Sequence, residues 1–249
     1  MANIKVSIVN QCSVLTDDQV KPVVAALQTQ VTRDFAPVWG IDADIIFVSK
    51  GASPDPQTWW LVLLDDSDTE GALGYHDLNP QGLPMAKVFA KTDINHNMKW
   101  SITASHELLE MLADPDINLT AFVQTSQTGG YMFAFEMCDA VEDDHYGYDI
   151  NGVTVSDFIL PSYFQQSIPT KKWDFCGHLK SGVPTMLSGG YLSKFAVGIP
   201  HEHGGWTQIT AQKLVEGVEA PSRATRKLPN SRRSKRATGR DNWKPSTVG

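Results

Sequence analysis

The chain has 249 residues, 41% hydrophobic and 20% charged. This is an ordinary globular balance, at a length that buries about three quarters of the unfolded surface without a disulfide or metal staple. Three widely spaced cysteines, Cys12, Cys138 and Cys176, exclude a disulfide framework and a Cys-rich zinc site, while the formal net charge of −7 divides into −15 over residues 1–220 and +8 over residues 221–249.

Residues 4–9 alternate, with Ile4, Val6 and Ile8 against Lys5, Ser7 and Val9, and predict an opening strand. Thr16-Asp-Asp-Gln19 has capping-box spacing, with acids in the first turn to suit the helix dipole. Val20, Val23, Val24, Leu27, Val31 and Phe35 then form the apolar stripe of one long helix, its first turn disturbed by Pro22. Residues 43–49 and 59–65 are β-rich and bounded by Gly, Pro, Asp and Ser, so both predict strands. Residues 66–84, with Gly71, Gly74, Pro80, Gly82 and Pro84, predict a long loop. Residues 85–90 predict a short strand at a sheet edge, where an extended peptide can pair. From Met98 or Lys99 to Ala113 the period is helical again, stopped by Pro115. Strands at 131–135 and 153–160 follow, with Gly-rich breaks at 188–190 and 204–205. The order is β-α-β-β-β-α and then an irregular β-rich half, which is an α+β pattern. Residues 221–249, poor in apolar residues and rich in Ser, Arg and Pro, predict a tail that is disordered unless bound to a partner, leaving residues 1–220 as the folded body.

The predicted second helix carries the chemistry. In His106-Glu107-Leu-Leu-Glu110, His106 and Glu110 are one turn apart and project from one face, a spacing that lets both grip one metal ion. Glu107 lies about 100° around the helix, placed to act on a water as general base. This is the logic of the His-Glu-x-x-His metalloprotease helix with Glu in place of the second His. Chance alone places such a run about 0.007 times in a chain of this composition. The competing reading is an amphipathic helix whose Glu107 and Glu110 face solvent.

The strand–helix–strands–motif-helix order resembles the zincin metallopeptidase fold. More narrowly, His106-Glu-Leu-Leu-Glu110, then Asp114-Pro115, then Glu136-Met-Cys-Asp139, is similar to the pattern of phosphate-induced (exordium-like) proteins and related bacterial zincin-like proteins. The resemblance covers roughly residues 100–140 and departs at Val141, where that family often has Cys. It implies a zincin-like mixed sheet, zinc as the metal, and Glu136 as third ligand beside His106 and Glu110. Asp139 is then a supporting acid or a competing ligand. Asp116 stands where another zincin branch has its third ligand, but Ala113 replaces the Gly which that turn needs. The competing reading of Glu136 is an exposed acid in an acidic stretch.

Two carboxylates with one His cancel the charge of a divalent zinc. The bound water should then be less acidic than the pKa of about 7 found in catalytic zinc sites. A slow enzyme, a high pH optimum and a structural ion all fit that arithmetic. His145, Tyr146 and Tyr148 are candidate oxyanion donors. His201-x-His203 reads as a solvated turn, and His76, His96 and His178 read as isolated loop residues with local hydrogen bonds. Serine, nucleotide and cysteine chemistry have no motif, and no cysteine has an evident His partner.

Two functions remain in view. One is a zinc-dependent metallopeptidase-like hydrolase acting on peptides, with Glu107 as base. The other is a non-catalytic structural or binding subunit of a larger assembly, such as a virion, that keeps a zincin scaffold. In either case the tail suits electrostatic contact with nucleic acid or an acidic protein surface. Trp59 to Leu64, among the longest apolar runs, is far short of the ~20 residues of a bilayer span. Residues 1–6 do not resemble a signal peptide. The expected location is therefore cytoplasmic or virion-associated, away from membranes.

Overall fold

The computed structural model describes residues 4–68, 72–79, 81–165, 167–199 and 205–211. The tail from 221 onward and the His201-x-His203 pair lie outside the described residues.

The opening strand is β1 (Ile4–Asn10), and Thr16 starts the first helix as expected. Its side chain accepts from the Gln19 N–H, and the Gln19 side chain returns a bond to the Thr16 N–H, closing the capping box. Helix α1 (Asp17–Thr29) runs through Pro22. It then widens into one π-helical stretch, Gln30–Phe35, where the Ala36 N–H donates to the Val31 carbonyl, before the short α2 (Ala36–Trp39). The predicted single stripe is thus two helical periods in series. The wider turn buries Gln30 and Asp34 beside Val31 and Phe35.

Strands β2 (Ala43–Val48), β3 (Trp59–Leu64), β4 (Gly74–Leu78) and β5 (Pro84–Phe89) join β1 in a five-stranded sheet of order β2-β1-β3-β5-β4. Four strands are parallel, and β4 runs antiparallel to β5. Two expectations are corrected here. The long loop at 66–84 contains β4, and residues 84–89 are an inner strand, with β4 as the edge. Gly74-Tyr-His-Asp77 has weak intrinsic strand preference, and its pairing with β5 overrides that.

Val6 and Ile8, Leu61 and Leu63, and Ala86 and Val88 line one sheet face. Helix α1 and the motif helix α4 (Trp100–Ala113), which follows the short α3 (Ala90–Asn95), both pack there. Each fully buried Leu, Ile or Val contributes about 1.5–3 kcal/mol. The opposite sheet face carries a small cluster of Val9, Val48 and Val62.

The second half is β-rich, as expected. Strands β6 (Thr120–Gln124), β7 (Gly130–Ala134), β10 (Tyr191–Val197) and β11 (Trp206–Thr210) form an antiparallel sheet of order β11-β10-β7-β6. A hairpin of β8 (Tyr148–Ile150) and β9 (Val153–Val155) turns at Asn151-Gly152, both at positive φ. The strand expected over 153–160 ends at Val155 and resumes as a single antiparallel bridge, Ile159 to Asp174. The whole is α+β. Among the described residues no helix is long and apolar enough to cross a membrane.

Candidate metal centre

Helix α4 lies between the five-stranded sheet and the second half, packed on β4 and β5 to one side and on β9 to the other. Every residue from Ile102 to Ala113 is therefore buried. Its position along that groove is held by hydrogen bonds. Ser101 Oγ donates to the Thr154 carbonyl, and Ser105 Oγ donates to Gln30 Oε1 at 2.7 Å while accepting from the Ser156 N–H. The Lys99 N–H, at the helix start, donates to the Asp144 carboxylate.

The reading in which Glu107 and Glu110 face solvent is overturned, since both are fully buried with His106. His106 Nε2 stands 3.3 Å from Glu110 Oε2 and 3.2 Å from Asp139 Oδ1. Among the described residues neither ring nitrogen of His106 makes a hydrogen bond. Donor atoms about 2.0–2.1 Å from a tetrahedral zinc are about 3.4 Å from one another. The spacing around His106 fits donors sharing an ion.

Asp139 comes from a short 3-10 turn, Asp139–Val141, after β7. The Cys138 N–H just before it donates to Glu110 Oε1 at 3.2 Å, tying that turn to α4. Glu136 is also buried, so the reading of it as an exposed acid is overturned. It groups with His76 and Glu110, whereas Asp139 groups with His106 and Glu110, and in each group the donor atoms lie within 4.8 Å of one another. Glu110 is common to both. Asp116 is exposed on the turn after α4, and Asp114 accepts the Asn118 and Leu119 N–H groups.

His76 is the residue that sequence reasoning missed. It lies on β4, fully buried, with Nδ1 3.5 Å from Glu107 Oε2 and 3.9 Å from Glu110 Oε2. Recognising β4 as a strand would have exposed the signal, because a lone His on a sheet edge beside the motif helix is placed to join it.

Four carboxylates (Glu107, Glu110, Glu136 and Asp139) and two imidazoles are thus buried together. Burial, and then Glu110 beside it, hold the Asp139 carboxyl well above the usual carboxylate range. The neighbouring Tyr191 hydroxyl is pushed well up by burial and by Asp139. An ionised carboxylate taken into the interior costs several kcal/mol unless another charge compensates it. A divalent cation is the compensation this donor set fits.

The close packing of β4 on α4 has a direct consequence. A methyl added at Gly74 would meet the Lys87 carbonyl oxygen at 2.8 Å, Thr103 Cγ2 at 2.9 Å and Glu107 Cγ at 3.0 Å. Gly74→Ala is expected to lower stability by about 1–3 kcal/mol in urea denaturation. An unchanged midpoint would show that strand and helix have room to separate.

Of the candidate oxyanion donors, Tyr148 already donates its hydroxyl to Asp34 Oδ2. The Tyr146 ring packs against His145 and His178. The expectation that no cysteine has a His partner is also corrected: Cys176, His178 and Asp157 form a third group of donors. Burial, and then Asp157 beside it, push the Cys176 thiol well up, which disfavours a nucleophilic thiolate. Compared with protein-family models, with curated proteins and with solved structures, the chain matches none.

Proposed function

We propose that this cluster binds zinc and that the chain is a zinc-dependent, zincin-like hydrolase acting on peptides. The supporting observation is the convergence of His106, Glu110 and Asp139 at 3.2 and 3.3 Å in a fully buried cluster that also contains Glu107. His106, Glu110 and Asp139 hold the ion, and Glu136 and His76 extend the donor set around Glu110. Bound zinc supplies Lewis-acid polarisation of water and carbonyl. Glu107, next to His106 on the same helix, takes the proton of the attacking water on its carboxylate and passes it to the leaving amine. His76, beside Glu107 Oε2, orients that carboxylate.

The complete burial of Glu107 supports a second reading, in which the ion is structural and the chain is a non-catalytic subunit of a larger assembly. There the +8 tail makes salt-sensitive contact with nucleic acid or an acidic protein surface. Elemental analysis of the purified full chain tests the feature both readings share. The His106→Ala, Glu110→Ala double variant is expected to carry one zinc fewer per chain than the wild type. Equal zinc in the two proteins would remove the assignment.

A further inference from the structure

We propose that Asp157, Cys176 and His178 form a second metal site, separate from the α4 cluster, for a divalent ion of the zinc class. The backbone builds it. The antiparallel bridge from Ile159 to Asp174 sets a register that brings Asp157 opposite Cys176, and flanking bonds from Leu160 N–H to Trp173 O and from Phe175 N–H to Phe158 O hold it. Asp157 Oδ1 accepts the Cys176 N–H at 3.0 Å and the Phe158 N–H at 2.8 Å. Asp174 accepts the N–H groups of His178 and Leu179 with its two oxygens, closing the loop that carries both remaining donors. Gly177, at φ +83°, makes the turn between Cys176 and His178.

Three donor atoms of three kinds then lie within 4.8 Å of one another. Asp157 is buried, and its carboxyl lies beside both Asp174 and the Cys176 thiol. A divalent cation held by these donors would offset the charge of two carboxyls packed side by side. Thiolate, imidazole and carboxylate together suit zinc or cobalt and not calcium or magnesium, which take all-oxygen shells. His178 is exposed, so the fourth position opens to solvent and a water completes it. Asp157 follows Ser156, whose N–H bonds to Ser105 on α4. The ion therefore staples the 174–178 loop to the segment that positions the motif helix.

Cobalt substitution of the full-length protein tests this, because only a thiolate ligand gives an intense near-ultraviolet charge-transfer band. The band is expected in the wild type and in His106→Ala, and its absence is expected in Cys176→Ser. In His178→Ala, an exposed position that should leave folding intact, half intensity should need at least about tenfold more cobalt. Three results would overturn the proposal: no band at saturating cobalt, a band unchanged in both Cys176→Ser and His178→Ala, or a band lost with His106→Ala and kept in Cys176→Ser.

Discussion

Replacing Glu107 by Gln is expected to slow peptide hydrolysis by about a hundredfold to ten-thousandfold, with zinc content and melting temperature unchanged. The size of the effect is that of general-base catalysis by a positioned carboxylate. Glutamine keeps the shape of the buried side chain next to Thr103 and Gly74, and it keeps an oxygen toward His76, whose Nδ1 lies 3.5 Å from Glu107 Oε2. What it removes is the proton acceptor. Because the site is fully buried, exchanging a carboxylate for an amide lowers the desolvation cost there, so no loss of stability should obscure the kinetic result. A fluorogenic peptide pool, assayed alongside zinc analysis, separates the outcomes. Wild-type turnover in the variant would dismiss Glu107 as base. Zinc retained in both proteins, with no turnover in either, would leave the structural reading standing.

Chelation is expected to lower the melting temperature by about 10 °C, with a gap that widens from mildly acidic to mildly alkaline solution. A ligand present at a thousand times its dissociation constant stabilises the folded state by about 4 kcal/mol. For a body of this size each kcal/mol moves the midpoint by about 2–4 °C. The pH trend follows from Asp139, held well above its ordinary value by burial and by Glu110 when no ion is present. Between the unfolded and the raised folded value the metal-free protein binds more protons folded than unfolded, so its stability falls as pH rises. The ion-bound protein escapes that loss because the cation stabilises the ionised carboxylate. Scanning calorimetry with and without chelator checks both parts. A midpoint indifferent to chelator, or a gap that narrows with rising pH, would contradict the role given to the buried carboxylates.

The parts of this site that were legible in the sequence are the local ones. His106, Glu107 and Glu110 are bound to one another by helical period alone, and the Thr16 capping box is equally local. The parts that escaped depend on long-range pairing. His76 reaches the cluster only because β4 pairs with β5 (Tyr75 with Lys87, His76 with Ala86), and the residues of β4 favour turns as much as strands. Glu136 and Asp139 were both named, but which of them faces His106 depends on the Cys138 to Glu110 hydrogen bond across the fold. Cys176 and His178 read as unrelated loop residues, because Asp157 joins them only through a backbone register that no local pattern announces. Asn151-Gly152, a strong hairpin signal, points to the pairing of the strand that starts at 153 with residues 148–150.

The π-helical stretch at Gln30–Phe35 bears on cooperativity. Gln30 donates to the Ser156 carbonyl and accepts from Ser105, Asp34 accepts from Tyr148, and the Trp39 indole N–H donates to the Ile159 carbonyl. Every one of these partners lies at least 75 residues further along the chain, as the 75 residues from Gln30 to Ser105 mark the shortest span. Arg33 pairs with the Asp34 carboxylate locally, but the Gln30 amide N–H finds the Ser156 carbonyl only when the second half has docked. Severing the chain after Ala113 would leave Gln30 without the Ser156 carbonyl and Asp34 without the Tyr148 hydroxyl, inside a core that both halves share. The two sheets are consequently expected to melt as one unit, with a change at the β8–β9 hairpin felt in the first helix through the Tyr148 to Asp34 bond.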